Sequence, residues 1–163
     1  RYDFYFSRYM NNKQSVDLVN NKLRNELEEK INVLITLKNL SILETQFIKD
    51  AIDTVVKGKA LLKNTYIFGY YMKDNEKKDF FEHSQGILQY WTEELHRLLI
   101  DDHLNKIIQE DNFEKCNQYL VNYKNSVNNI IASIQKYSKG LIDDIENNFI
   151  SEIDFSILDE KKI

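Results

Sequence analysis

Residues 41–72, SILETQFIKDAIDTVVKGKALLKNTYIFGYYM, decide the fold class. The stretch opens on Ser41-Ile-Leu-Glu44, a capping-box pattern in which the Ser41 hydroxyl accepts from the Glu44 amide while the Glu44 carboxylate reaches back. Beyond it Phe47, Ala51, Thr54, Gly58, Leu61, Thr65, Phe68 and Met72 recur at alternating intervals of four and three, with Ile48, Ile52, Val55, Leu62 and Tyr66 on the adjacent flank. That period is helical, and an apolar face this wide packs against two neighbours. No proline interrupts it, and none occurs anywhere in the 163 residues, where average usage would place roughly eight.

The same period extends on both sides. Residues 1–37 carry an aromatic head (Tyr2, Phe4, Tyr5, Phe6, Tyr9) and then Val16, Val19, Leu23, Leu27, Ile31 and Leu34. Asn11-Asn12 has poor helix propensity and interrupts that stripe, so a break is expected there. Residues 78–100 present Phe81, Ser84, Leu88, Trp91, Leu95 and Leu98. After a short turn near His103, residues 112–148 carry a heptad seam of Phe113, Cys116, Leu120, Tyr123, Val127, Ile130, Ile134, Tyr137 and Leu141. The connections at 38–40, 73–77 and 101–102 are short, which makes successive helices antiparallel neighbours. The expectation is an all-α chain: an elongated antiparallel up-down bundle of about four long helices over 1–150, with 151–163 as a short appended tail.

Composition narrows the function classes. With 42% hydrophobic and 29% charged residues the chain suits one packed domain rather than a disordered tail. A single cysteine, Cys116, cannot form an internal disulfide or a zinc knuckle, and points to a reducing compartment, the cytoplasm or the nucleus. Apolar runs such as Ile130 to Ala132 are far too short to span a membrane. Net charge is −4 and the pI about 5.4, with a basic cluster only at Lys77-Lys78 and in Glu160-Lys161-Lys162. Nucleic acid and a curved membrane surface both call for a basic face, so neither is an expected partner. The chain starts at Arg1, without an initiator methionine or a secretion signal, and reads as a piece of something longer.

No residue set carries chemistry. Glu93-Glu94-Leu95-His96 has the Glu-x-x-His spacing of di-iron bundles, but neither His83 nor His103 supplies the second copy, so no metal site is expected. Cys116 occupies a seam position, where a thiol acts as a small hydrophobe, and no histidine follows it. Gly58, Gly69, Gly86 and Gly140 are isolated inside helical pattern and form no phosphate loop; Gly69, between Phe68 and Tyr70, is the strongest candidate for a close helix approach. The pairs Asp101-Asp102, Asp143-Asp144 and Glu93-Glu94 read as caps and solvated faces. No catalytic residue and no cofactor is expected in this chain.

The residue strings themselves resemble a known family. Arg1-Tyr2-x-Phe4-Tyr5, Arg8-Tyr9-Met10-Asn11, Gln14-Ser15, Gln46-Phe47-x-Lys49-x-Ala51-x-Asp53, Thr65-Tyr66-x-Phe68, Tyr71-x-Lys73, Phe81-Glu82-x-x-Gln85 and Thr92-Glu93-x-Leu95 keep the order and near-family spacing of the Ariadne domain of RING-between-RING (RBR) ubiquitin ligases. Tyr137-x-Lys139-x-Leu141 extends the likeness more weakly. The resemblance implies a parent enzyme with zinc-binding RING domains upstream. Its first RING would recruit a ubiquitin-conjugating enzyme, and its second RING would carry ubiquitin as a cysteine thioester. This chain would then be the helical domain that packs on the second RING, covers its cysteine and is released by a neddylated cullin–RING ligase.

Residue by residue, the resemblance places Glu93 at a family acid that contacts the second RING. On the first helix the family has a Phe-Glu pair before a Lys-Leu. Here Lys22-Leu23 follows Val19-Asn20-Asn21, so Val19 and Asn20 stand at the expected autoinhibitory contact with different chemistry, and there is one extra residue between Ser15 and Lys22. Either the contact is remade with other residues or inhibition is weaker. The other reading of the chain is a scaffolding bundle unrelated to ubiquitin.

Overall fold

In the computed structural model of the chain, residues 1–159 are described, and four long helices alternate up and down with no strand among them. The first is α1 (Tyr2–Leu18), which continues through a wide π-type turn (Val19–Leu23) into α2 (Arg24–Leu37). The others are α3 (Ile42–Tyr71), α4 (Glu76–Ile100) and, after the short α5 (His103–Gln109), α6 (Phe113–Asp144). At 1.5 Å per residue the 30 residues of α3 form a rod of about 45 Å.

Side-chain pairings set the directions. Arg1 at the start of α1 donates to the Met72 carbonyl just past α3 (2.8 Å), so these two helices are antiparallel. Tyr5 bonds Glu82 and Asn12 bonds Gln89, which makes α1 parallel to α4. Buried Gln85 of α4 donates to Thr65 of α3 at 2.8 Å. Tyr123 of α6 stacks edge-on against Phe47 of α3 and donates to the Leu98 carbonyl of α4 at 2.9 Å. The long helix α3 therefore touches the other three, which is why its buried face is wide, from Thr45 to Gly69.

The ends follow local chemistry. Ser41 and Glu44 close the capping box, with the Glu44 amide at 3.1 Å from Ser41 Oγ and the Ser41 amide at 2.7 Å from Glu44 Oε2. Asn75 caps α4 and Asn112 caps α6. Asn39, at φ 55°, takes the left-handed position that ends α2.

Three expectations of register are corrected. The helix does not break at Asn11-Asn12: Asn12 is buried, and its amide donates to the Arg8 carbonyl at 2.9 Å, so its polarity is satisfied inside the helix pair. The irregularity lies instead at Val19–Leu23. Val19, Leu23, Leu27 and Ile31 are spaced four, four and four, and each step overshoots a turn by about 40°. One residue taken up in a wide turn absorbs the drift and keeps both Val19 and Leu23 in the core. On α4 the deepest line runs Phe81, Gln85, Leu88, Thr92, Leu95 and Leu99, with Ser84 and Trp91 only half-buried. Gln85 and Thr92 escape a hydropathy reading because their polar atoms bond Thr65 and the Leu88 carbonyl. On α6, Ile131 replaces Ile130 in the core, and Phe113 is 82% exposed because α6 begins beside the short α5.

Two glycines explain how closely α3 and α4 approach. A Cβ at Gly69 would lie 3.1 Å from the rings of both Phe81 and Tyr5, and one at Gly58 would lie 2.8 Å from Thr92 Oγ1. Past α6 a second wide turn (Ile145–Phe149) and a tight 3-10 turn (Ile150–Glu152) carry the chain across the α3–α4 connection. There the Lys73 amide donates to the Glu152 carbonyl (2.8 Å), the Asp154 amide to the Tyr71 carbonyl (2.7 Å), and the Glu152 carboxylate accepts from Asn75 and Lys77. The short α7 (Ser156–Asp159) follows. The rest of the expected tail, 160–163 with its Glu160-Lys161-Lys162 cluster, lies outside the described residues.

Candidate functional site

The helices α1 and α4 both pack on α3 and run parallel, leaving between them an open groove of about 330 Å³, walled by Phe4 and Arg8 of α1 and by Glu82, Tyr90 and Glu93 of α4. The two helices run in register at an offset of 77 residues, set by Tyr5 with Glu82 and Asn12 with Gln89. Residues 82, 86, 89 and 93 fall on one stripe of α4 that faces the groove.

Within it Gln89 acts as a relay. Its carbonyl oxygen accepts from Asn12 and from the Tyr66 hydroxyl, both at 3.4 Å, and its amide donates to a carboxylate oxygen of Glu93. Glu93 is exposed, and the relay orients a carboxylate that would otherwise sample several rotamers. Burial pushes the Tyr66 hydroxyl up from the ordinary phenol range, so it stays a donor. Behind Glu93, Lys59 of α3 is only 5% exposed, and burial pulls its ammonium below the usual lysine range while the Glu93 charge opposes the shift. His96, one turn past Glu93, is pulled down by burial and then by the Lys59 charge. Glu82 is held by the Tyr5 hydroxyl, whose own ionisation burial pushes well above its ordinary range.

The residues expected at the contact separate. Glu93 lies in the groove, whereas Val19 has no exposed surface and belongs to the core. The π-type turn that buries Val19 leaves Asn20, Asn21 and Lys22 exposed in a row. Asn20 accepts from Arg24 at 3.2 Å, and Arg24 pairs with Asp53 at 2.8 Å. By the 77-residue offset Glu93 is level with Val16, and Asn20 lies four residues further on, in the π-type turn that follows α1. Asn12, Tyr66, Gln89 and Lys59 carry no sequence signal of a site, since each reads as an ordinary helix residue until its partner on another helix is known.

Cys116 lies elsewhere, half-buried, with its thiol 3.4 Å from the Ile107 carbonyl of α5. Among the described residues no three His, Cys, Asp or Glu side chains are placed to share a metal ion, and no helix is long and apolar enough to cross a membrane.

No protein-family model matches the chain. Curated relatives do. The human E3 ubiquitin-protein ligase ARIH1 is 33% identical over 118 residues, which is 72% of this chain and 20% of that protein. Ariadne-1 of Drosophila melanogaster, also an E3 ubiquitin-protein ligase, is 33% identical over the same share of this chain and 22% of its own length. The ligase dbl4 of Schizosaccharomyces pombe is 34% identical over 60% of this chain. This chain belongs to the Ariadne family. It spans about one fifth of the length of the curated relatives it matches. Within the Ariadne segment the groove is the place where an outward carboxylate, aromatic walls and a buried lysine converge.

Proposed function

We propose that this segment regulates an RBR-type ubiquitin-protein ligase by packing on its second RING and covering the cysteine that carries ubiquitin. The observation that carries this reading is Glu93: an exposed carboxylate oriented by the Gln89 relay on a face braced by three helices. A rigid bundle suits occlusion, because a partner that binds the open arrangement better shifts the balance between covered and uncovered states. In the parent, zinc-binding RING domains outside this chain would recruit a ubiquitin-conjugating enzyme and form the thioester. A neddylated cullin–RING ligase is the partner proposed to release the block.

The first-helix contact falls to Asn20 rather than Val19, because a side chain without exposed surface makes no interdomain contact. The Phe-Glu pair expected from the family is thus replaced by one carboxamide, which supports inhibition resting mainly on Glu93. In the full-length protein, Glu93→Ala is expected to raise ubiquitin discharge without a cullin partner by about tenfold, the worth of one hydrogen bond to a charged group. Unchanged basal discharge would overturn the reading.

A further inference from the structure

The long helix α3 ends without a cap of its own. The last carbonyls of a helix have no partner inside it, and helices commonly satisfy them locally with a glycine in the left-handed conformation. Here the residue past α3 is Met72, extended at φ −70° and ψ 144°, and its amide reaches back only to the Gly69 carbonyl at 3.3 Å. The carbonyls that follow find their partners at residues 1 and 154 instead. The Arg1 guanidinium donates to the Tyr70 carbonyl at 2.5 Å and to the Met72 carbonyl at 2.8 Å, and the Asp154 amide donates to the Tyr71 carbonyl at 2.7 Å. A cation at this place also complements the negative end of the helix dipole.

The connection beyond α3 is gripped by the same two partners. Arg1 lies over the Tyr70 ring at 5.6 Å and pairs with Asp74 at 3.3 Å. On residues 150–154, the strap, Ile153 forms an antiparallel bridge with Met72 and the Glu152 carbonyl accepts from the Lys73 amide at 2.8 Å. The Glu152 carboxylate accepts from Asn75 at 2.7 Å and from Lys77 at 2.8 Å. Ser156, and then Lys73 and Arg1, hold the Asp154 carboxyl below the usual carboxylate range, so the Arg1 charge is felt at the strap. Residues 73–77 are all exposed, and these polar contacts rather than burial keep them in place.

We propose that Arg1 and the strap form a latch on the end of α3, in which lifting the strap frees Arg1 and releasing Arg1 loosens the strap. Both hold the same residues, 70–75. With the strap lifted, Lys73 and Asn75 lose their partners, and the Met72 carbonyl is no longer fixed where Arg1 donates to it. The first turn of α1 loosens with it, since the Tyr5 amide bonds the Arg1 carbonyl at 3.4 Å. The latch lets an event at residues 150–154 set how firmly the start of α1, and any chain that precedes it, is held. It does not rest on the inhibitory reading above.

Hydrogen exchange on the full-length protein, read by mass spectrometry, tests the latch in both directions. Glu152→Ala removes the contacts to Asn75 and Lys77, and Ile153→Ala thins the packing of the strap on the core; both leave Arg1 itself intact. Either is expected to speed exchange at residues 5–9 by about five-fold or more, the lower range for coupled sites, as well as at 70–77. Conversely, Arg1→Ala is expected to speed exchange of the Lys73 and Asp154 amides to a similar extent, and Arg1→Ala combined with Glu152→Ala to add little to either alone. Asn112→Ala, which removes the cap of α6 at the opposite end of the bundle, is expected to leave all these amides at their native rates. The latch is overturned if the strap variants leave residues 5–9 unchanged, or if the paired substitutions multiply as independent ones do. A uniform rise in exchange along α3 would overturn it as well, because that is a loss of global stability and not a coupled local opening.

Discussion

The inward line of α4, Phe81, Gln85, Leu88, Thr92, Leu95 and Leu99, and its groove-facing line, Glu82, Gly86, Gln89 and Glu93, belong to one helix and obey different constraints. Inward, every atom is spoken for. Phe81 is fully buried between Phe68 and Phe149, and even the polar residues Gln85 and Thr92 have their partners. Outward, the residues are half-satisfied: a glycine with open space, carboxylates with a free oxygen, an exposed tyrosine ring. Interior packing is dense enough that a single methyl is felt, whereas a solvated face tolerates change unless something docks there. The contrast separates residues kept by the fold from residues whose reason lies outside it.

Four perturbations test that division. The largest effect should come from Phe81→Ala, which empties a fully buried ring site; a loss of about 3–5 kcal/mol is expected by denaturant unfolding. A loss below about 1 kcal/mol would mean that the inward face is loosely packed.

Gly58→Ala comes next. Its new methyl would lie 2.8 Å from Thr92 Oγ1 and 3.1 Å from Thr92 Cγ2, against a β-branched side chain tied to the Leu88 carbonyl. Overpacking of about 1–3 kcal/mol outweighs the roughly 1 kcal/mol gained in helix propensity. In a Thr92→Ala background the obstacle is gone, so the same substitution should become stabilising. An unchanged sign in that double-mutant cycle would show that the strain resides elsewhere.

Gly86→Ala should act in the opposite direction from Gly58→Ala. With no neighbour to push, it is expected to stabilise the fold by about 0.5–1 kcal/mol, read as a higher melting temperature. Destabilisation would erase the distinction between the two faces.

The smallest effect should come from His96, at the boundary between the faces. Burial and the Lys59 charge hold its folded-state pKa below the unfolded value of about 6.5. The unfolded chain therefore binds the proton more tightly, and the stability that neutral His96 contributes is complete above that value and declines as pH falls through it toward the folded pKa. His96→Gln should flatten the stability profile across that window; an unaltered profile would remove His96 from the acid response.

How much was legible beforehand differs between fold and site. Long helices, their caps and their antiparallel order follow from local rules: capping boxes, a 3.6 period and short connections. The phase of each buried stripe is less legible, because Gln85, Thr92 and Asn12 are polar by composition and apolar in effect once paired. The contact residues divide the same way. Glu93 is visible as a matching acid, but the burial of Val19 depends on the Val19–Leu23 turn, and the Gln89 relay depends on partners 77 and 23 residues away.

By itself, then, the sequence determined an all-α chain of long uninterrupted rods, the place where each rod begins, and its kinship with the Ariadne family, since those reside in periodicity, caps and residue strings. Only the tertiary structure decided which polar residues are interior, where the first helix takes up its extra residue, and which of four similar glycines face another helix and which face open space. Helix propensity is local and is written in neighbouring residues, whereas burial and register depend on side chains from other helices that no short window of sequence contains.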